Sequence, residues 1–367
     1  MTTVGLLHET PYADMKDYLD FPTPNKMFDP EKGHDLYVEY LEELVYAEEL
    51  GFEIIALPEQ HSKQDNIDPS PNILVSHLIG RTKKILILPY GALLPLHNPI
   101  RIAEEYAMLD VISKGRLLAG FVNGGLTNYM AYGLDYLKDK DRFVEAWELI
   151  VKAWTADEPF QWKGKHYQFN AVSVWPRPYQ KPHPPIFTAG GASVSAAAAR
   201  GATFGLGFTS TTDEIKRLFE TYRGMYESIH GRAPSSRNLA VARSVYVAET
   251  DRRAKEECEK HLLHQYRILY RPSMIANENF ERSTGAHLYW ASRLFLTREE
   301  YDGIVAKGNH IAGSPETVAN IILEQQKELG FGTFLGLFRF GSLPHDLVKR
   351  SMELFAEDVM PNLKRMG

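Results

Sequence analysis

Three short clusters in this chain hold residue types that can do chemistry. The first is Glu59-Gln60-His61. An imidazole with an ordinary pKa of about 6.5 suits general acid or base work, which makes His61 a candidate proton carrier. Gln60 can orient a carbonyl or a peroxide by hydrogen bonding, but it exchanges no proton near neutral pH. Adjacent residues at a strand end point opposite ways, so His61 is either the proton carrier or a partner of the surrounding wall. The second cluster is Ala189-Gly190-Gly191-Ala192-Ser193, followed by the alanine-rich run Val194–Arg200. Glycines without Cβ atoms let the backbone approach an anion, and the N–H groups at a helix start meet it with the favourable end of the dipole. A phosphate cradle fits this pattern; so does a plain tight turn. The third, Asn123-Gly124-Gly125, is either turn chemistry or the source of one amide hydrogen bond. His8 and His97 read as structural imidazoles.

Each cluster follows a short apolar run of strand length. Such runs recur at Val4–His8, Glu53–Pro58, Ile85–Gly91, Arg116–Val122, Ile186–Ala189, Thr203–Phe208, Ala240–Ala248 and Thr333–Phe338. Between them lie helical patterns. His34–Leu50 puts Tyr37, Leu41, Leu44 and Ala47 on one face; a helix from Ile100 does so with Ile102, Tyr106, Leu109 and Ile112 and stops at Gly115; Asp141–Trp154 carries Phe143, Trp147, Ile150 and Trp154. Ser314-Pro315-Glu316 is a helix start that Gly330 closes. Strand-then-helix order yields a parallel sheet, and eight such units predict an α/β protein of the (β/α)8 TIM-barrel type, with the site at the C-terminal strand ends.

The length of 367 residues is within reach of one barrel with insertions, since barrels run from about 250 to more than 400 residues. We therefore expect one domain over residues 1–367, with long insertions at Thr10–Lys32, Ala156–Pro184 and Arg271–Gly313; the second contains a short hairpin, and the third reads as a lid. A net charge of −6 in mixed signs, with no basic run, points to neither nucleic acid nor an anionic membrane as partner. No apolar stretch of membrane-spanning length and no cationic-then-apolar leader occurs, so a cytoplasmic protein is expected. Cys258 is the single cysteine and excludes an internal disulfide; its surroundings, RRAKEECEKHL, predict a solvated or half-buried thiol.

The block LLPLHNPIRIAEEYAMLDVISKGRLLAGFVNGG, residues 93–125, resembles the bacterial-luciferase-like flavin monooxygenases, with their LP-x-x-x-P-x-R-x-AE-x-x-x-x-LD-x-x-S-x-GR pattern. AEELGFEIIALPEQH is similar to the family's helix, Gly-Phe and strand ending in Glu-His-His, and PIFTAGGASVSAAAARG to its phosphate-binding strand and helix. The resemblance implies reduced FMN supplied by a separate flavin reductase, O2, and a C4a-hydroperoxide that oxygenates a small organic substrate. Entry-loop residues Phe21, Met27, Phe28, Tyr289 and Trp290 suggest an apolar or aromatic one. It places the FMN phosphate at Gly190, Gly191, Ser193 and Val194, and it sets Glu59 against the cofactor. Asn123 stands where the luciferase branch has an arginine, and Gln60 where the family has its first histidine. Tyr90-Gly91-Ala92 occupies the place where family members bring backbone against the flavin ring, commonly through a non-proline cis peptide; an ordinary strand kink is the alternative. A homodimer is implied, with a heterodimer as the other option. Two other readings fit the same residues: a deazaflavin-dependent hydride-transfer enzyme, and a non-catalytic flavin-binding partner subunit.

Overall fold

Apolar and β-branched runs form all eight expected strands: β1 (Thr3–Leu7), β2 (Ile54–Leu57), β3 (Leu86–Pro89), β4 (Ala119–Val122), β5 (Ile186–Ala189), β6 (Thr203–Leu206), β7 (Leu239–Val247) and β8 (Thr333–Leu337). The computed structural model describes residues 2–15 and 18–366, with 365 and 366 described by backbone alone. Lys16 and Asp17, inside the first expected insertion, lie outside the described residues. Neighbouring barrel strands are parallel, in the order β3-β2-β1-β8-β7-β6-β5-β4. The circle closes where Ala92–Leu93 continues past Tyr90-Gly91 to pair with Phe121 and Val122 of β4, and where Ile87 bridges to Leu117. This is a TIM barrel with long insertions.

Helix starts follow local capping chemistry. α1 (Pro30–Glu49) begins four residues before the expected His34, because the Asp29 side chain accepts from Glu31 N and Pro30 takes the first helical position. α2 (Pro71–Arg81) and α3 (Pro99–Ser113) also start on proline, and Asn98 caps α3 by accepting from Ile100 N. α3 buries Ile102, Tyr106 and Leu109 as expected, but Ile112 is 53% exposed and lies off the buried face. The Ser314 hydroxyl accepts from Thr317 N at the start of the helix Pro315–Leu329.

The second insertion folds as the antiparallel hairpin Phe160–Lys163 with Gln168–Val172. The third insertion is largely helical. It contains the helix Arg271–Thr284, a 3-10 stretch Ala291–Thr297, the helix Tyr301–Ala306 and a short strand, His310–Gly313, paired to Ser244–Val247 of β7. The buried face of the first of these helices is Pro272, Ser273, Met274 and Asn277, which is too polar for hydrophobic periodicity to reveal. The same segment corrects the reading of Cys258. Tyr301 OH and His310 Nε2 lie 3.6 and 3.5 Å from its sulfur, the residue is fully buried, and burial pushes the thiol up to about 12.

A charged cluster is buried between α1 and the ends of β1 and β8. The guanidinium of Arg339 donates to both oxygens of Glu43, to Glu39 and to Leu343 O. His8 and His345 hold the same carboxylate at 2.8 and 2.7 Å. Burial alone would raise the Glu43 carboxyl, but Arg339 and the two imidazoles overcome it and hold the group well below the usual carboxylate range. His8 is thus the structural histidine that the sequence suggests.

Candidate active site

The glycine-rich loop after β5 leaves the strand through Gly190, whose φ of 88° and ψ of 145° belong to a region that side chains avoid. A 3-10 turn over Gly191–Ser193 then leads into the helix Val194–Arg200. The turn engages Ser193 N with Gly190 O and Val194 N with Gly191 O, so the amides outside its own hydrogen bonds are those of Gly191 and Ala192. That shifts the donor set one step earlier than the helix start suggests. A Cβ built on Gly190 would meet nothing within 4 Å, so the loop faces open space. Beneath it, the hydroxyls of Ser193 and Thr188 are fully buried and have no hydrogen-bond partner.

At the end of β2 the three candidate residues separate, as strand alternation requires. Glu59 Oε1 is held at 2.7 Å by His61 Nε2 and at 2.7 Å by His97 Nε2, while Oε2 accepts from Leu93 N at 3.1 Å. Burial would raise this carboxyl, but the two imidazoles outweigh it and hold it below its ordinary value. Burial likewise opposes charge on His97, and the Glu59 bond more than offsets it, so its pKa is raised. With Nε2 donating to Glu59, His61 Nδ1 is left to accept the Tyr132 hydroxyl at 3.3 Å, and the Tyr132 ring packs edge-on at 4.7 Å. Both ring nitrogens of His61 are engaged within the protein.

Gln60 points elsewhere. Its Oε1 is buried without a partner, and the residue lines a cavity of about 250 Å³ whose apolar walls include Tyr12, Met15, Met27, Phe28 and Tyr37. At the end of β3 the Tyr90–Gly91 peptide is cis. A Cβ on Gly91 would meet Gly120 C at 2.4 Å, so glycine is required by the approach of β4. The Tyr90 side chain crosses to β6, where its hydroxyl fills the place a Gly205 Cβ would take. Asn123, at the end of β4, is 7% exposed, and its Oδ1 accepts from Tyr129 OH at 2.8 Å, which leaves the amide NH2 as the donor.

The structure adds groups at the mouth that the sequence does not single out. Glu9 follows β1; Lys63 and Asp65 follow β2 and pair at 3.2 Å; Gln265, Tyr266 and Tyr270 lie in and beside a π-helical turn, Gln265–Leu269. The only signal for Glu9 was its place one residue after His8, where alternation turns it the other way. The third insertion docks on the same rim: Tyr289 OH lies 2.7 and 2.9 Å from the hydroxyls of Thr209 and Ser210, and Arg293 pairs with Glu214 and stacks on the Tyr289 ring.

A luciferase-like monooxygenase family model matches residues 27–333. The alkanal monooxygenase alpha chain of Photorhabdus luminescens is 24% identical over 326 residues, covering 87% of this chain and 89% of the relative. Among solved structures, the FMN complex of the oxygenating constituent of 3,6-diketocamphane monooxygenase from Pseudomonas putida superposes with a TM-score of 0.76 at 21% identity, with 98% of each chain covered. A coenzyme F420-dependent tetrahydromethanopterin reductase from Methanopyrus kandleri does so with a TM-score of 0.68 at 18% identity, with 99% of each covered.

Proposed function

Because the chain belongs to the luciferase-like monooxygenase family, we propose that this flavin-dependent enzyme uses reduced FMN, delivered by a separate reductase, and O2 to oxygenate an organic substrate. One observation carries the choice of cofactor: the loop after β5 offers the Gly191 and Ala192 amides, open space above Gly190 and the unpartnered Ser193 hydroxyl to a single phosphate. These residues fit the phosphate of FMN. The Gly191 and Ala192 amides and the Ser193 hydroxyl would hold it above Gly190, since the Gly190 and Val194 amides are already bonded to Gly205 O and Gly191 O, and the amide of Asn123 would lend a neutral donor. The Tyr90-Gly91 backbone would lie against the ring. When bound, reduced flavin supplies the activation of dioxygen.

The chain's own residues orient the rest. Gln60, which lines the cavity and whose amide oxygen has no partner within the protein, orients the reacting partner, and His61 acts as scaffold through Glu59. His61→Asn should therefore lower thermal stability, by about 1–3 kcal/mol for a buried carboxylate short of a donor, and leave the turnover rate of the folded enzyme within a few-fold of wild type. Gln60→Ala should lower turnover more than it lowers stability. A 100-fold loss of turnover in a stable His61→Asn protein, the usual worth of a positioned acid or base, would return proton handling to His61.

The aromatic and methionine walls beside Gln60 support an apolar or aromatic substrate, with the helical third insertion as lid. The deazaflavin reading keeps support from the F420-dependent structural neighbour. A homodimer is supported by the apolar residues that α2 and α3 present to solvent, Ile73 at 70% exposure and Met108 and Ile112 at 54% and 53%. Among the described residues no helix is long and apolar enough to cross a membrane, and we place the enzyme in the cytoplasm beside its reductase. The test is turnover with a flavin reductase, NADH, FMN and 18O2 on a panel of aromatic and alicyclic substrates. One labelled oxygen atom in a product supports the proposal; turnover of the panel with reduced deazaflavin in the absence of O2 would replace it.

A further inference from the structure

We propose that Glu9 is the proton-holding group on the substrate side of the barrel mouth and fills the role that Gln60 cannot. The inference rests on the monooxygenase reading above. Its basis is where β1 ends. His8 turns outward to Glu43 of α1 and packs edge-on against Tyr40, so alternation turns Glu9 the opposite way, over the mouth. Thr10 beside it is fully buried, whereas Glu9 keeps some accessible surface. Tyr270 OH and, at 3.3 Å, Gln265 Nε2 both donate to Glu9 Oε2. Both donors are neutral and belong to the π-helical turn and the residue after it, a kind of irregularity that recurs at functional sites.

The charged and titratable groups facing Glu9 come from two elements. Lys63 and Asp65 lie on the segment after β2 and are paired with each other; Tyr266 lies on the π-helical turn and Tyr270 directly follows it. Among the described residues no lysine or arginine is hydrogen-bonded to Glu9. Burial is the largest influence and Asp65 adds to it; against Tyr270, Lys63 and Gln265 they push the carboxyl up to about 8. Around it, Tyr266 OH, Gln265 Oε1 and Asp65 Oδ1 are buried polar atoms without partners, which is the pattern expected where a polar ligand completes the hydrogen bonding.

In a monooxygenation, substrate, O2 and reduced flavin become oxygenated substrate, water and oxidised flavin. Both electrons and both hydrogens come from the reduced cofactor, and one oxygen atom must gain a proton as it leaves as water. Glu9 gives that proton as its O–H bond breaks, and its carboxylate recovers, through solvent, the proton released on flavin oxidation. Since the raised carboxyl is protonated below its pKa, this capacity is present at neutral pH and is lost as the pH rises through about 8.

The test uses Glu9→Gln, which keeps the shape and can still accept the Tyr270 hydroxyl. In wild type, an infrared titration should show a protonated-carboxyl component that disappears with a midpoint near pH 8, above that of Asp68, which burial raises to about 7; the component near pH 8 should be absent in Glu9→Gln. Tyr270→Phe removes a donor that favours the charged form and should move the midpoint upward. With reduced FMN bound and O2 as the only other reactant, the oxygen leaves as hydrogen peroxide and takes up the same proton, so the pH profile of flavin reoxidation should show the same inflection in wild type and lack it in Glu9→Gln at matched FMN affinity. A missing component near pH 8, or an inflection unchanged in Glu9→Gln, overturns the inference. If FMN fails to bind at all, the flavin reading falls, and the infrared titration still decides the state of Glu9.

Discussion

Gly190→Ala is expected to weaken FMN binding at least tenfold, measured by quenching of flavin fluorescence. At φ 88° and ψ 145°, Gly190 occupies backbone that is open essentially to glycine alone, and a side chain there costs about 1–3 kcal/mol. The loop can relieve that cost only by rotating the peptides that aim the Gly191 and Ala192 amides. A tenfold loss corresponds to about 1.4 kcal/mol, the lower part of that range. Crowding does not contribute, because a Cβ on Gly190 meets nothing within 4 Å. Gly191 provides the control: its φ is not positive, and its Cβ would lie 3.5 Å from Leu218, an ordinary contact. Gly191→Ala should therefore bind FMN within a few-fold of wild type. Unchanged affinity in a folded Gly190→Ala protein would move the phosphate to another site.

The largest expected loss of stability is at Arg339. Arg339→Met would remove the guanidinium that answers the buried Glu43 carboxylate and would leave His8 and His345 as its partners. Breaking one side of a buried ion pair typically costs about 3–5 kcal/mol, because the remaining charge stays desolvated. Denaturant unfolding should show that loss, and Arg339→Met combined with Glu43→Leu should recover much of it. The pH dependence has a definite sign. A carboxyl held low by its partners contributes stability above its unfolded pKa, and the contribution fades as the pH falls toward the folded value. In Arg339→Met this acid-side loss should begin at a higher pH than in wild type. A single variant within about 1 kcal/mol of wild type would show that the imidazoles alone can neutralise Glu43.

Much of the barrel was legible because its signals are local. Strands buried on both faces read as short β-branched runs, and Ser314-Pro315 and Asn98-Pro99 mark helix starts by chemistry confined to a few residues. The loop after β5 was legible for the same reason, although the 3-10 turn that shifts its free amides could not be read from glycines alone. What stayed hidden depends on contacts between distant segments. The helix Arg271–Thr284 buries serine and asparagine, Cys258 is covered by residues about 43 and 52 positions away, and Ile112 faces solvent despite its spacing. At Glu59-Gln60-His61 alternation left two options for His61, and His97, a residue 38 positions away from Glu59, completes the clamp that favours the scaffold. Glu9 carried no motif; its environment is assembled by the segment after β2 and the π-helical turn.

The most direct test of the account is an anaerobic binding titration with three reduced cofactors: FMN, riboflavin and a deazaflavin. If the loop at Gly190–Val194 holds the phosphate, reduced FMN binds at least tenfold more tightly than reduced riboflavin, and the deazaflavin binds more weakly than FMN. Equal affinity for FMN and riboflavin, or preference for the deazaflavin, would contradict it.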